Sequence, residues 1–360
     1  MRTNQQPSIA ILADDLTSAA DGAAPFVARG LTAAIGRSWI PSQTAGVVAV
    51  DSASRSATPS QAAERVARLT QQLAGWDILY KTVDSTLRGH VTQELEACFV
   101  ASGRKSLVFA PAFPDAGRTT VGGIQLVGGV PVSESSYGRD PVHPARHSAL
   151  VDLVPKGIKN VMLLDALTQQ ELDAQIASIP DPESVLWVGS PGMATALARR
   201  FAPANDPVPS IDGIRGEVLV AIGSANLRSH VQADQLQADQ RHQAGGSVLL
   251  RAPMTREQDP AAVLRRIAQD AAGQLQDPRF GALIATGGDT MEAILDLLDV
   301  HEFEILQELD PGFPLGRARL GDGRSLLLAM KAGGFGNNDA LVRAVARIRG
   351  ATQPFRTDSL

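Results

Sequence analysis

Short apolar runs that alternate with amphipathic stretches constrain this chain of 360 residues more than any other feature. Residues 8–13 read as a buried strand, and residues 19–29 have the period of a helix that ends at Gly30. Strands follow at 45–50, 77–83 and 105–110, separated by helices at 60–73, with Ser60 at the cap, and 86–100. The alternation resumes with strands at 161–165 and 185–189 and helices at 169–179 and 193–201. A third series has strands at 217–222, 248–251, 282–286, 304–309 and 325–330, with helices at 228–242, 260–275, 291–298 and from 340. Strand then helix, repeated this often, predicts an α/β chain of mostly parallel sheets flanked by helices.

A chain of this length exceeds one typical domain. The stretch 202–216 is broken by prolines and Asp-Pro steps and reads as a linker. We therefore expect two domains, 1–204 and 217–360, with the site in the cleft between them. Residues 111–144 interrupt the pattern with Gly, Pro and Thr around an alternating piece at 125–132, and they read as a long functional loop carrying a hairpin.

Composition excludes several classes. Charged residues make up 20% and the net charge is −5, so the basic excess of a nucleic-acid binder is missing. One cysteine, Cys98, rules out an internal disulfide and suits a reducing compartment. The first apolar run is short and runs into two aspartates, which fits neither a signal peptide nor a membrane span. A cytoplasmic protein that engages neither membrane nor nucleic acid is expected, and a homodimer is the assembly to look for.

The polar residues that could do chemistry sit where strands end. Asp14 and Asp15 directly follow the first strand, where open parallel sheets collect ligands. Adjacent carboxylates there can accept a hydroxyl proton or hold Mg2+. Either could instead cap the following helix. Lys81, Asp84, Ser85, Thr86 and Arg88 follow another strand. Two cations, a carboxylate and hydroxyls at this spacing suit a small polyhydroxy acid, with the arginine clamping its carboxylate. Capping by Asp84 or Ser85 is the bland alternative. Arg55 is a second candidate clamp. The loop 111–120 should shape a pocket. His143 and His147 lack further metal-type ligands beside them, and Cys98 reads as core.

The last domain carries three glycine-containing strand ends. Gly287, Gly288, Asp289 and Thr290 lie between a strand and a helix, where backbone amides and the helix dipole favour an anion. Lys331, Gly333, Gly334, Phe335 and Gly336 form a second such turn, and Ser224 and Asn226 lie in a third. Together they read as one nucleotide site. No Gly-Lys-Ser/Thr occurs anywhere, which excludes a Walker A loop.

In order along the chain, 13–21 (ADDLTSAAD), 81–89 (KTVDSTLRG), 111–123 (PAFPDAGRTTVGG), 129–132 with Asp140-Pro141, 287–290 (GGDT), Pro311-Gly312 and 331–336 (KAGGFG) resemble the four-carbon acid sugar kinase family. The resemblance implies a sugar-acid-binding domain followed by a nucleotide-binding domain. It implies ATP-dependent phosphorylation of the terminal hydroxyl of D-threonate, D-erythronate or a 3-oxo-tetronate, and phosphoryl-transfer chemistry adds Mg2+ as the expected companion of ATP. It also implies that Asp14, Arg55 and residues 81–86 hold the acid, and that Ser224, residues 287–290 and the glycines of the last motif hold ATP. Ser18 departs from the family's usual Gly, Asn226 from a frequent Ser, and the second domain is shorter than in most relatives. For the proton acceptor the residues leave Asp14, Asp15 and Asp84 open, and they identify no metal ligands. A dehydrogenase of similar shape would need GxGxxG after the first strand, which is missing. A non-catalytic sugar-acid-binding regulator would lack ATP affinity.

Overall fold

The computed structural model describes residues 7–42, 45–140, 143–202, 213–214, 216–224, 226–240, 246–253 and 259–350. Most of the expected linker lies outside these residues, as do Pro141, Ala225 and the end of the helix expected at 228–242. The chain divides into two compact units, Met1–Val208 and Pro209–Leu360.

The first unit runs β1 (Ile9–Ala13), α1 (Leu16–Val27), β2 (Ala33–Arg37), β3 (Val47–Asp51), α2 (Pro59–Leu73), β4 (Ile78–Thr82), α3 (Val91–Ser102) and β5 (Ser106–Ala110). It continues with β6 (Arg118–Val121), β7 (Ile124–Val127), β8 (Val130–Pro131), β9 (Val161–Leu163), α4 (Gln169–Ser178), β10 (Val185–Gly189) and α5 (Pro191–Phe201). Its large sheet has the order β2-β3-β1-β4-β10-β5-β9, with every pairing parallel. Alternate strand residues such as Leu12, Val50, Leu79 and Val188 pack under Val66 and Leu69 of α2 and Leu95 and Cys98 of α3. On the opposite face Gly22 of α1 lies against Ile11 and Tyr80, where an added Cβ would meet both side chains. Burial on both faces is why these strands read as unbroken apolar runs. The expected hairpin is the three-stranded antiparallel sheet β6-β7-β8.

The second unit comprises β11 (Glu217–Ile222), α6 (Leu227–Gln240), β12 (Ser247–Arg251), α7 (Pro260–Gln274), β13 (Phe280–Thr286), α8 (Gly288–Leu297), β14 (Glu302–Asp310), β15 (Phe313–Arg319), β16 (Ser325–Lys331) and α9 (Ala340–Ile348). Its strands lie in the order β12-β11-β13-β16-β15-β14. The first four are parallel and the last two antiparallel.

Two strands escape the sequence pattern. β2 has two Ala, a Gly and an Arg around a single Ile, and its identity comes from pairing with β3. β15 contains Pro314 and Gly316, which punctuate a sequence, yet it lies between β14 and β16. Helix starts also move. Thr58, not Ser60, caps α2, through a capping box with Gln61 and with Pro59 in the first turn. Helix α3 begins at Val91, not at 86, because Leu87 and Gly89 have positive φ and keep 84–90 as a loop.

Candidate active site

Strands β3, β1 and β4 are neighbours, so the loops after them meet at the carboxyl end of the first sheet. They carry Arg55, the aspartate pair and residues 84–88. Arg55 holds Asp14 bidentately, Nε to Oδ2 at 2.8 Å and Nη2 to Oδ1 at 2.9 Å. Its Nη1 also donates to Asp15 and its Nη2 to Ser18 Oγ. Asp15 is the N-cap of α1 as well, accepting from Ser18 N at 2.7 Å. Capping and chemistry are thus both open to Asp15, whereas Asp14 caps nothing.

Arg88 holds Asp84 in the same way, Nε to Oδ2 at 2.7 Å and Nη2 to Oδ1 at 3.1 Å. Thr86 Oγ1 donates to the same carboxylate. The Arg88 guanidinium lies 5.3 Å from the Tyr137 ring centroid and 3.6 Å from Asp140 Oδ2. Helix α3 has no side-chain cap, so Asp84 and Ser85 are not capping residues. Ser85 is buried, and its carbonyl accepts from Gln125 Nε2 at 2.7 Å. The same amide bonds Pro111 O at 3.1 Å and so ties the loop after β5 to the loop after β4. An added Cβ at Gly89 would fall 3.2 Å from Asp14 Oδ2, so this loop also lies against the aspartate pair.

Lys81 is fully buried in β4. Its Nζ bonds Glu94 Oε2 at 2.7 Å and Thr82 O at 2.7 Å. Ser54 Oγ donates to the other Glu94 oxygen at 2.7 Å. Sequence reasoning missed Glu94. A lysine in an apolar strand demands a buried anion, but nothing local says which carboxylate supplies it.

The electrostatics separate the three candidate bases. Burial would raise Asp14, but Arg55 and Lys81 outweigh it and hold the carboxyl below its usual range. Burial likewise opposes ionisation of Asp84, yet Arg88 pulls it well down. Asp15 goes the other way, because burial and the Asp14 charge outweigh Arg55 and raise it. Burial opposes the charge on Lys81, and Glu94 and Asp14 reverse that, so it stays a cation.

In the second unit, β11, β13 and β16 are adjacent and parallel, so the turns after them converge. An added Cβ at Gly223 would fall 2.1 Å from Thr290 Oγ1. One at Gly333 would fall 2.0 Å from Ser224 Oγ and 3.2 Å from the Asn226 Cβ. Gly287 N donates to Lys331 O at 2.9 Å. Gly287, at φ 94°, is the N-cap of α8 with no side-chain cap, so Asp289 and Thr290 do not cap it, and Asp289 stands in its first turn. Asn226 Oδ1 accepts from Arg228 N at 3.0 Å at the start of α6. Phe335 packs on Gly312, where a Cβ would meet Cδ2 at 2.5 Å, which gives Pro311-Gly312 a structural part. Buried Lys331 donates to Ala332 O at 2.9 Å and Phe335 O at 3.0 Å. Burial and the nearby Arg228 pull it down to about 7.

This end of the second sheet fits a phosphate. Gly223 and Gly333 let Thr290 and Ser224 pack close against the turns, the start of α8 points its amides into them, and Lys331 lies buried beneath. Thr286 Oγ1 is buried with no hydrogen-bond partner among the described residues. Beside the last turn, Arg228, Gln235, Asn337, Asn338 and Asp339 line a cavity of about 460 Å³. No group of three His, Cys, Asp or Glu suited to a metal occurs among the described residues. None of the described helices is long and apolar enough to cross a membrane.

Residues 9–160 match the sugar-binding N-terminal domain family and residues 226–341 the nucleotide-binding C-terminal domain family. The chain is 31% identical to a D-threonate kinase of Bordetella bronchiseptica, over 95% of this chain and 98% of that protein. It is 27% identical to a 3-oxo-tetronate kinase of Pseudomonas fluorescens, over 97% of this chain and 99% of that one. A solved protein of Salmonella typhimurium LT2 superimposes with a TM-score of 0.76 at 20% identity, covering 93% of this chain and 98% of that chain.

Proposed function

The chain belongs to the four-carbon acid sugar kinase family, and from that premise we propose that it transfers the γ-phosphate of ATP to the terminal hydroxyl of a four-carbon sugar acid. D-Threonate, D-erythronate and a 3-oxo-tetronate are the substrates to test, since relatives carry each of these names. The observation that carries the reading is the pairing of functions within one chain. Two arginines stand over aspartates at the sheet end of the first unit, and three glycine-containing turns converge at the sheet end of the second.

In this reading Arg88, with Arg55, binds the acid's carboxylate, while Asp84, Ser85 and Thr86 orient its hydroxyls. Lys81 acts from beneath as a fixed positive charge beside Asp14. Asp14 or Asp15 takes the hydroxyl proton, with Asp84 the rival, and Asp15 is the first to test because burial raises its proton affinity while arginines lower that of the other two. Ser224, Gly287–Thr290 and the glycines of 333–336 hold the phosphates. Bound ATP supplies an activated phosphoryl group, and transfer then depends on positioning and charge neutralisation. Mg2+ accompanying ATP usually needs only one or two protein carboxylates, for which Asp289 is the candidate.

ATP consumption with a panel of tetronates tests the proposal. Stimulation by one of them is expected, and none by any four-carbon acid would sink the substrate assignment. We further propose a homodimer in the cytoplasm, for which light scattering of the purified protein should return twice the chain mass.

A further inference from the structure

Resting on the nucleotide reading, we propose that Ser229 and Gln232 of α6 are positioning residues that, with Arg228 and Lys331, hold the backbone oxygens of the 332–337 turn inward and so aim its amides at the nucleotide phosphates.

Side-chain donors to five of the six carbonyls of the turn carry this. Lys331 Nζ takes Ala332 O at 2.9 Å. Ser229 Oγ takes Gly333 O at 2.9 Å. Gln232 Nε2 takes Phe335 O at 2.9 Å, shared with Lys331 at 3.0 Å. Gln232 Nε2 and Arg228 Nη1 both take Gly336 O at 3.2 Å. Gln232 Nε2 reaches Asn337 O at 2.8 Å.

A peptide unit is planar and trans, so its C=O and the next N–H point in opposite directions. Capture of the oxygens of 332, 333 and 335 therefore turns the amides of Gly333, Gly334 and Gly336 away from α6 and Lys331. Among the described residues these three amides donate to nothing. A run of such amides is an anion-binding concavity. Their carbonyls are held by side chains from two elements, so the concavity exists before an anion arrives.

Gln232 shows that the arrangement has a cost. It is fully buried, its Nε2 faces three carbonyls, and its Oε1 has no partner among the described residues. Turning the amide over would aim an oxygen at those three carbonyls, so its orientation is fixed. A buried acceptor left unpaired is unfavourable by itself, and the ordered turn is what it supports.

The test is calorimetric titration of ATP with Mg2+, and separately of the preferred sugar acid, into wild-type protein, Gln232→Met and Ser229→Ala, with steady-state kinetics beside it. Both variants should bind ATP about tenfold more weakly. KM for ATP should rise to match, with kcat within about twofold and sugar-acid affinity unchanged. Wild-type protein that binds no ATP overturns the kinase reading and this inference with it. Wild-type protein that binds, with variants that bind equally well, overturns the inference alone. Should Gln232→Met fail to fold, the Ser229→Ala result decides in the same way.

Discussion

Arg55 and Asp14 lie 41 residues apart and meet as a two-armed ion pair, with contacts of 2.8 and 2.9 Å. Arg55 also donates to Asp15. Two residues read separately as clamp and base are therefore one unit. The arginine lowers the proton affinity of both aspartates, and in the proposed reaction it would also offer charge to the substrate. Arg88 and Asp84 repeat the arrangement one strand away.

Arg55→Lys should expose this double role. A lysine is a point charge and cannot replace the fork. Catalytic efficiency toward the sugar acid should fall by about 100-fold, the scale of one or two charge-assisted hydrogen bonds. In wild-type protein burial raises the proposed base Asp15 and Arg55 opposes that rise. Weakening Arg55 should therefore move the acid limb of the pH profile of kcat/KM to higher pH. A limb that stays in place would separate Arg55 from the aspartates' titration.

Asp15→Asn tests the proton acceptor with the cap of α1 kept, because asparagine caps helices as well as aspartate does. Loss of the Arg55 contact should lower the melting temperature modestly, while kcat falls by about 10²-fold or more. Near-wild-type turnover would pass the role to Asp14, for which Asp14→Asn is the matching variant.

Glu94→Gln should act through Lys81. It removes the carboxylate from a buried pair and strands a buried ammonium, which typically costs about 3 kcal/mol. Denaturant unfolding should show that loss, and sugar-acid affinity should fall with it. Unchanged stability would mean that Lys81 finds another anion.

Lys331 predicts a proton linkage. Its folded value of about 7 lies below the ordinary 10.5, so the unfolded chain binds more protons across that window. This group's contribution to stability therefore rises with pH from 7 to 10.5. Bound phosphate should favour the ammonium form and raise its pKa. At a pH about one unit above its free value, ATP binding should take up a proton, and Lys331→Met should abolish the uptake. Titrations in buffers of different ionisation enthalpy read this directly.

The amino-acid sequence by itself determined two units of mostly parallel sheet, because a strand covered on both faces leaves an unbroken apolar run that local pattern reveals. It also placed the polar and glycine-rich segments at strand ends, where they are found. It did not tell whether Asp84 caps a helix or pairs with Arg88, since that turned on where α3 begins, and the positive φ of Leu87 and Gly89 moved that start to Val91. Only the tertiary structure decided which charges meet. Arg55 reaches Asp14 because β3 lies beside β1, Lys81 finds Glu94 because α3 covers β4, and Gln232 holds carbonyls more than 100 residues away because α6 lies against the turn after β16. Those partners are set by strand order and helix placement. Both arise from burying apolar surface across the whole unit, and no local stretch of sequence carries them.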